Sequence, residues 1–324
     1  PSTGKSLGFK LELSDVKKTA STLGLDEASG IEINIPQESS GNIPSVEKKL
    51  EVTKALMKKY LDKNIKKYLK KNVKKTKSDI ENDKNELVKL ADNPNSINRK
   101  KLIEMIDKMG YEPLEIKKDD RAGLADTLKF TYLNQAKWDI TDMLNIVIGQ
   151  GQNSYTPLQM NRVMSTISNG GYLNKYTLIK EVTNHNSKDI LYQNQVKHKK
   201  ISIKDDKYLE DIKYGTLLVA QNNAILNRMP LEVGVKTGTA EVEGKNPDGS
   251  GYDPYAWMIG FAPYDDPEIA ISIILTQGGT SFNVSPIFRD IVCKYFDIKI
   301  NPDKQNLLNE VNTEGNNQEN TQGE

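Results

Sequence analysis

A single cysteine, Cys293, stands in 324 residues, so no disulfide can close within the chain and no multi-cysteine metal site can form. One thiol on an apolar-rich segment is most simply a small buried hydrophobe, and it says nothing about compartment. Histidine is almost as scarce. His185 and His198 lie in polar stretches with no carboxylate or cysteine at ligand spacing, so they read as surface residues and no metal is expected. No cofactor is expected either. No run approaches the ~20 apolar residues that cross a bilayer. No signal peptide follows the opening proline, and the chain reads as an excerpt whose anchor would lie upstream. No internal repeat is visible.

What is present is unevenly placed. The net charge is only +1, yet thirteen lysines fall between Lys48 and Lys77 against Glu51 and Asp62. Met57, Leu61, Ile65, Leu69 and Val73 recur every four residues there, which predicts one basic amphipathic helix. Helices from Asp79 to Leu90 and from Arg99 to Met109 are predicted to follow, making 46–118 a lysine-rich helical block. Lysine in that density suits an anionic surface, but a solvated face is the simpler expectation. No nucleic-acid module accompanies the lysines, and no nucleic acid is expected as a partner.

Elsewhere the pattern is that of a mixed domain. Residues 10–25 predict a helix with Ser14 or Asp15 as N-cap and Gly24 as its stop. Gly30 to Ile35 and Asn145 to Ile148 are strand-like. Thr156-Pro157 opens a helix that Asn169-Gly170-Gly171 ends. Lys180–Val182 and Ile190–Tyr192 suggest a hairpin, Tyr208 to Leu226 a helix, and Pro286 to Tyr295 an amphipathic helix. Three apolar runs, Val233–Val242, Tyr255–Ala262 and Glu268–Thr276, suggest an antiparallel sheet. Asp265-Asp266 then marks a turn rather than a catalytic pair. Beyond about Pro302 there is almost no apolar content, which predicts a disordered tail.

The first of those runs, VGVKTGTAEV, is costly as a strand, because glycine weakens its interior and lysine resists burial. Lys236, Thr237 and Thr239 present a cation and hydroxyls, while Gly238 leaves room for a ligand backbone. A ledge of that kind suits a carboxylate, and its amides suit an oxyanion. An incidental edge strand remains the alternative for four residues alone.

Order and spacing decide further. GQGQNSYTPLQMNRVMSTISNGGYL, VGVKTGTAEV and AWMIGFAPYDDPEIAISIIL follow one another, with GKSLGFKLELSDVKKTASTLGLDEASGIEI before them. Together they resemble the transpeptidase domain of class B penicillin-binding proteins over roughly 4–45 and 130–297, the KTGT piece matching that family's third motif. The resemblance implies an α/β (α+β) fold of the β-lactamase/transpeptidase kind, an antiparallel sheet covered by helices and incomplete at its N-terminal side. Residues 1–45 and 119–298 would form a partial transpeptidase domain, 46–118 an insertion and 299–324 a tail.

It also implies D,D-transpeptidation of peptidoglycan stem peptides ending in D-Ala-D-Ala, through a serine acyl-enzyme that β-lactams would also form. Lys236 would set the proton network, and Thr237 and Thr239 would bind the carboxylate. The Thr239 N–H would be one oxyanion donor. Gly238 and Trp257 would complete the substrate wall, with Gln150 either shaping the floor or serving its turn. Ser2-Thr3-Gly4-Lys5 fits the letters Ser-x-x-Lys, but Gly4–Gly8 already aligns with the stretch behind the second motif, so the serine is expected upstream of Pro1. Such proteins act outside the cytoplasmic membrane beside other wall-synthesis proteins. The alternative is a non-catalytic or β-lactam-sensing relative whose basic helices bind an anionic partner.

Overall fold

The computed structural model describes residues 11–32, 37–114, 122–186, 189–242 and 244–299. Ser2, the second half of the GIEINI stretch (33–35) and the polar tail lie outside them. The chain divides into two compact units, one of Pro1–Lys17 and Pro44–Asn153, the other of Lys18–Ile43 and Ser154–Glu324. The first helix, α1 (Leu13–Thr22), starts one residue before the expected caps. Asp15 therefore sits inside it and accepts the Glu12 N–H at 2.9 Å. Gly24 follows at φ +71°, the left-handed conformation that lets the chain turn off a helix.

The Pro44–Asn153 segment is helical. Ser45 caps α2 (Val46–Asn64), accepting from the Lys48 N–H. The expected single helix through Lys77 is not observed. After a 3₁₀ turn, Ile65–Tyr68, the backbone leaves the helix to pair with residues 110–112. Leu69 bridges Tyr111, Lys70 donates to the Gly110 carbonyl at 3.0 Å, and Glu112 donates to the Tyr68 carbonyl at 2.7 Å. A new helix, α3 (Lys77–Lys89), then starts at a capping box between Thr76 and Asp79. Asn98 caps α4 (Arg99–Lys108).

The unit extends beyond the lysine-rich block because Leu124, Leu128, Leu133 and Ala136 share one core with Met57, Leu61, Leu87, Leu102 and Ile106. Of Asn145–Ile148, expected as a strand, residues 145–147 belong instead to α5 (Ile140–Val147), opened by an Asp139–Asp142 capping box, and Ile148 is its C-cap. A four-residue apolar run cannot distinguish the two by periodicity, and the cap decides. Lys49 locks α2 to α5, donating to both Asp142 carboxylate oxygens at 2.6 and 2.7 Å and to the Lys137 carbonyl at 2.6 Å. Leu61 is fully buried, so Leu61→Ala should cost about 2–5 kcal/mol through the cavity it leaves. Urea unfolding followed by Trp138 fluorescence in a Trp257→Phe background measures it, and a cost below about 1 kcal/mol would contradict this core.

The second unit carries the sheet. Helix α6 (Pro157–Ser168) begins with a Thr156–Gln159 capping box and proline at its start. Two short antiparallel pairs follow. One joins β1 (Tyr172–Asn174) to β4 (His198–Lys200), a pairing the sequence does not signal. The other is the expected hairpin, β2 (Glu181–Thr183) with β3 (Ile190–Gln193). Helix α7 (Lys207–Gln221) is shorter than expected, and a 3₁₀ turn, Leu226–Arg228, follows it. The main sheet is an antiparallel meander of β5 (Gly234–Ala240), β6 (Tyr255–Ala262) and β7 (Ile269–Leu275). Helix α8 (Ser285–Tyr295) comes last.

Period-2 alternation sorts the sheet's two faces. Ile259 and Phe261 face Met164 of α6. Val235, Met258 and Ile271 face Phe288 and Val292 of α8. The expected antiparallel sheet covered by helices is what the chain forms.

Candidate active site

The sheet places the KTGT stretch on β5, which ends the strand order β5–β6–β7 among the described residues. Its register sets Lys236 opposite Ile259, Thr237 opposite Met258, Gly238 opposite Trp257 and Thr239 opposite Ala256. Lys236 and Thr239 are exposed, while Thr237, Gly238 and Trp257 are half-buried. The five candidate residues are therefore neighbours, but on two faces. Lys236, Gly238 and Trp257 share the α6 side, and Thr237 and Thr239 share the α8 side. The Lys236 ammonium donates to the carbonyl of the adjacent Thr237.

The two glycines of β5 have different causes. A Cβ at Gly234 would lie 2.4 Å from the Phe261 ring and 2.5 Å from Thr216 Oγ1, so packing excludes a side chain there. A Cβ at Gly238 would meet only Trp257 Cβ, at an ordinary 3.5 Å, and its φ is not positive. Neither sterics nor backbone conformation requires glycine at 238. The bare position leaves the strand backbone without a side chain directly opposite Trp257.

Thr237 opens onto a hollow of about 400 Å³, with Leu218, Asn222, Asn223, Ser281 and Phe282 among its other lining residues. These come from the end of α7 and from the 3₁₀ turn Ser281–Val284 ahead of α8. Nothing in the local sequence marks them, because strand, helix end and turn are brought together only by the fold. Asn223 is already engaged: its side chain donates to Ser285 Oγ at 2.8 Å and accepts from the Ile225 and Leu226 N–H groups.

Helix α6 ties this sheet to the segment before it. Gln159, 1% exposed, donates to the carbonyls of Leu25 (3.1 Å), Glu27 (3.4 Å) and Ser40 (2.7 Å). Its own oxygen accepts from the Thr156 N–H at 3.0 Å. Two residues on, Asn161 donates to the Ala270 carbonyl of β7 at 2.7 Å. Burial pushes the Tyr176 phenol up to about 12, so it stays protonated and donates to the Asn161 side-chain oxygen. Arg162 donates to the Asn174 carbonyl at 2.9 Å and pairs with Glu27 at 3.1 Å.

The remaining candidates fall elsewhere. Gln150 lies in the turn after α5 between Gly149 and Gly151, both at positive φ. His185 is exposed, and the exposed His198 ring stands edge-on to Tyr172 at 5.1 Å. Asp265 and Asp266 are exposed in the turn between β6 and β7. Cys293 is buried on α8. Among the described residues no helix is long and apolar enough to cross a membrane.

Comparison with known proteins bears on the whole chain. Residues 5–292 match the family model of the penicillin-binding protein transpeptidase domain. The chain is similar to penicillin-binding protein 2A of Bacillus subtilis, at 33% identity over 180 residues, covering 50% of this chain and 25% of that protein. It is also similar to the peptidoglycan D,D-transpeptidase MrdA of Haemophilus influenzae, at 26% identity over 177 residues, covering 50% and 27%. Among solved structures, penicillin-binding protein 2B of Streptococcus pneumoniae superposes with a TM-score of 0.47 at 18% identity, covering 89% of this chain and 34% of that one. The chain thus spans about a quarter of the length of the curated relatives it matches. With a family model matched along most of its length, and with the motifs that resemble class B members in their expected order, this chain belongs to the penicillin-binding protein transpeptidase family.

Proposed function

We propose that the intact protein is a peptidoglycan D,D-transpeptidase and that β5 forms one wall of its active site. The observation that carries this reading is Gly238, a strand glycine that packing does not require, flanked by exposed Lys236 and Thr239 on the end strand of the sheet. Along the edge of this end strand the bare backbone accepts an extended peptide, with the Lys236 cation reaching its terminal carboxylate from the α6 side and the Thr237 and Thr239 hydroxyls from the α8 side.

In this reading a serine from the remainder of the intact protein attacks the carbonyl carbon of the penultimate D-alanine. The C–N bond breaks, D-alanine leaves with the proton the serine gave up, and an ester joins peptide to enzyme. The amine of a neighbouring stem peptide then attacks the ester carbonyl and frees the serine. Lys236 supplies positive potential at the reacting groups, Thr237 and Thr239 hold the carboxylate, and Trp257 stands opposite Gly238. β-Lactams acylate the same serine. The work takes place on the outer side of the cytoplasmic membrane, with other wall-building proteins as partners.

Fluorescent penicillin tests this reading. The intact protein should carry one covalent label, removed by preincubation with unlabelled β-lactam, and the 324-residue chain alone should carry none. An intact, folded protein that takes no label would overturn it.

A further inference from the structure

The lysines of residues 48–77 divide by what they touch. Lys49, Lys54, Lys58, Lys70 and Lys75 pair with Asp142, Asp92, Glu81, Asp107 and Asp83, which the following helices and turns supply. These cations staple the helical unit. Lys59, Lys63, Lys66, Lys71 and Lys74 are different: all are exposed, and none has a carboxylate within 4.0 Å among the described residues. Lys59 and Lys63 stand at i and i+4, on the side of α2 opposite buried Met57 and Leu61, about 6 Å apart along the helix at 1.5 Å rise per residue, and Lys66 follows in the 3₁₀ turn Ile65–Tyr68.

We infer that these cations, Lys59, Lys63 and Lys66, with Lys71 and Lys74 later in the same lysine run, are a docking track for a linear phosphate polymer recognised by its charge. Three features select that chemistry. Like charges at these spacings repel one another, by a few tenths of a kcal/mol per pair, and the protein gains nothing internal in return. Lys59 and Lys63 succeed one another along α2 with Lys66 directly after them, so they match a repeating anion better than a single phosphate. The tyrosines within the run are turned inward: Tyr60 packs on the core, Tyr68 is 1% exposed, and their hydroxyls lie 3.1 Å apart. No aromatic ring is left on the track for bases to stack on. The exposed large apolar side chains on the same side of α2, Val52 and Leu56, both lie ahead of Lys59, which argues against a bilayer as the occupant. The inference stands apart from the transpeptidase reading, since it uses no residue of the sheet.

The test uses the 324-residue chain and fluorescently labelled inorganic polyphosphate. The triple variant Lys59→Gln, Lys63→Gln, Lys66→Gln is compared with a control of equal charge change, Lys180→Gln, Lys199→Gln, Lys204→Gln, all exposed residues outside the track. Affinity is measured between about 50 and 200 mM salt, where counterion release gives a slope of nearly one log unit per neutralised phosphate. The track variant should bind at least about tenfold more weakly, with the slope reduced by roughly two, and the control should change less than about twofold. A second variant, Lys71→Gln with Lys74→Gln, should fall between them. Equal losses in both triple variants would reduce the effect to net charge and overturn the proposal. Absence of polyphosphate binding would also overturn it, as would binding only to phosphatidylglycerol vesicles that Leu56→Ser abolishes.

Discussion

Replacing Lys236 with alanine in the intact protein should slow covalent labelling by fluorescent penicillin about a hundredfold or more while leaving the melting temperature almost unchanged. The two halves of that expectation have separate grounds. Lys236 is exposed on β5 and its ammonium bonds only the carbonyl of the next residue among the described groups, so the fold loses little with it. Fixed charge aimed at a reacting centre contributes far more than the same charge in water, and removing one such group typically costs 10²–10³ in rate. Stopped-flow labelling together with thermal melting measures both. An undiminished rate would sink the proposed role of Lys236. A large loss of stability would make it a structural lysine instead.

Gln159→Leu should have the opposite signature, a large loss of stability in the second unit. Its two amide hydrogens serve three carbonyls in the segment from Leu25 to Ser40, and its oxygen completes the cap of α6. Leucine fills a similar volume but leaves the buried Leu25 carbonyl without a donor, while the carbonyls of exposed Glu27 and Ser40 can turn to water, so a loss of about 2–3 kcal/mol is expected. The chain has two tryptophans, Trp138 and Trp257, so a Trp138→Phe background lets Trp257 report on the second unit in urea unfolding. A loss below about 1 kcal/mol would mean that water or a shifted backbone replaces the amide.

Much of the second unit is legible in the sequence because its signals are local. Thr156, Pro157 and Gln159 announce α6 by capping chemistry, and β6 and β7 announce themselves as apolar runs bounded by turns. The KTGT stretch stands out because glycine and lysine are both costly in a strand. What is not legible is set at long range. The lysine run looks like one helix because its apolar residues keep their period through Leu69 and Val73. Only the bridge from Leu69 to Tyr111, forty-two positions away, explains why the helix ends. The Thr76–Asp79 box is present in the sequence but hidden by the lysines around it. Strands β1 and β4 are three residues each, and their pairing joins positions about 26 apart, with no alternation long enough to read.

The candidate site divides the same way. Residues 236 to 239 are contiguous and can be picked out as a block, whereas the hollow beside Thr237 is assembled from α7 and from Ser281-Phe282. Its existence depends on tertiary packing, so no motif could name it.

The lone buried thiol has a practical corollary. Burial raises the Cys293 thiol, which sits on α8 at 3% exposure, so little thiolate is available to react near neutral pH. A maleimide dye offered to the native chain should find almost nothing to attack. A cysteine introduced at Lys63 or Thr239 would then take the probe alone, and spectroscopists could tag either surface without first removing the native sulfur.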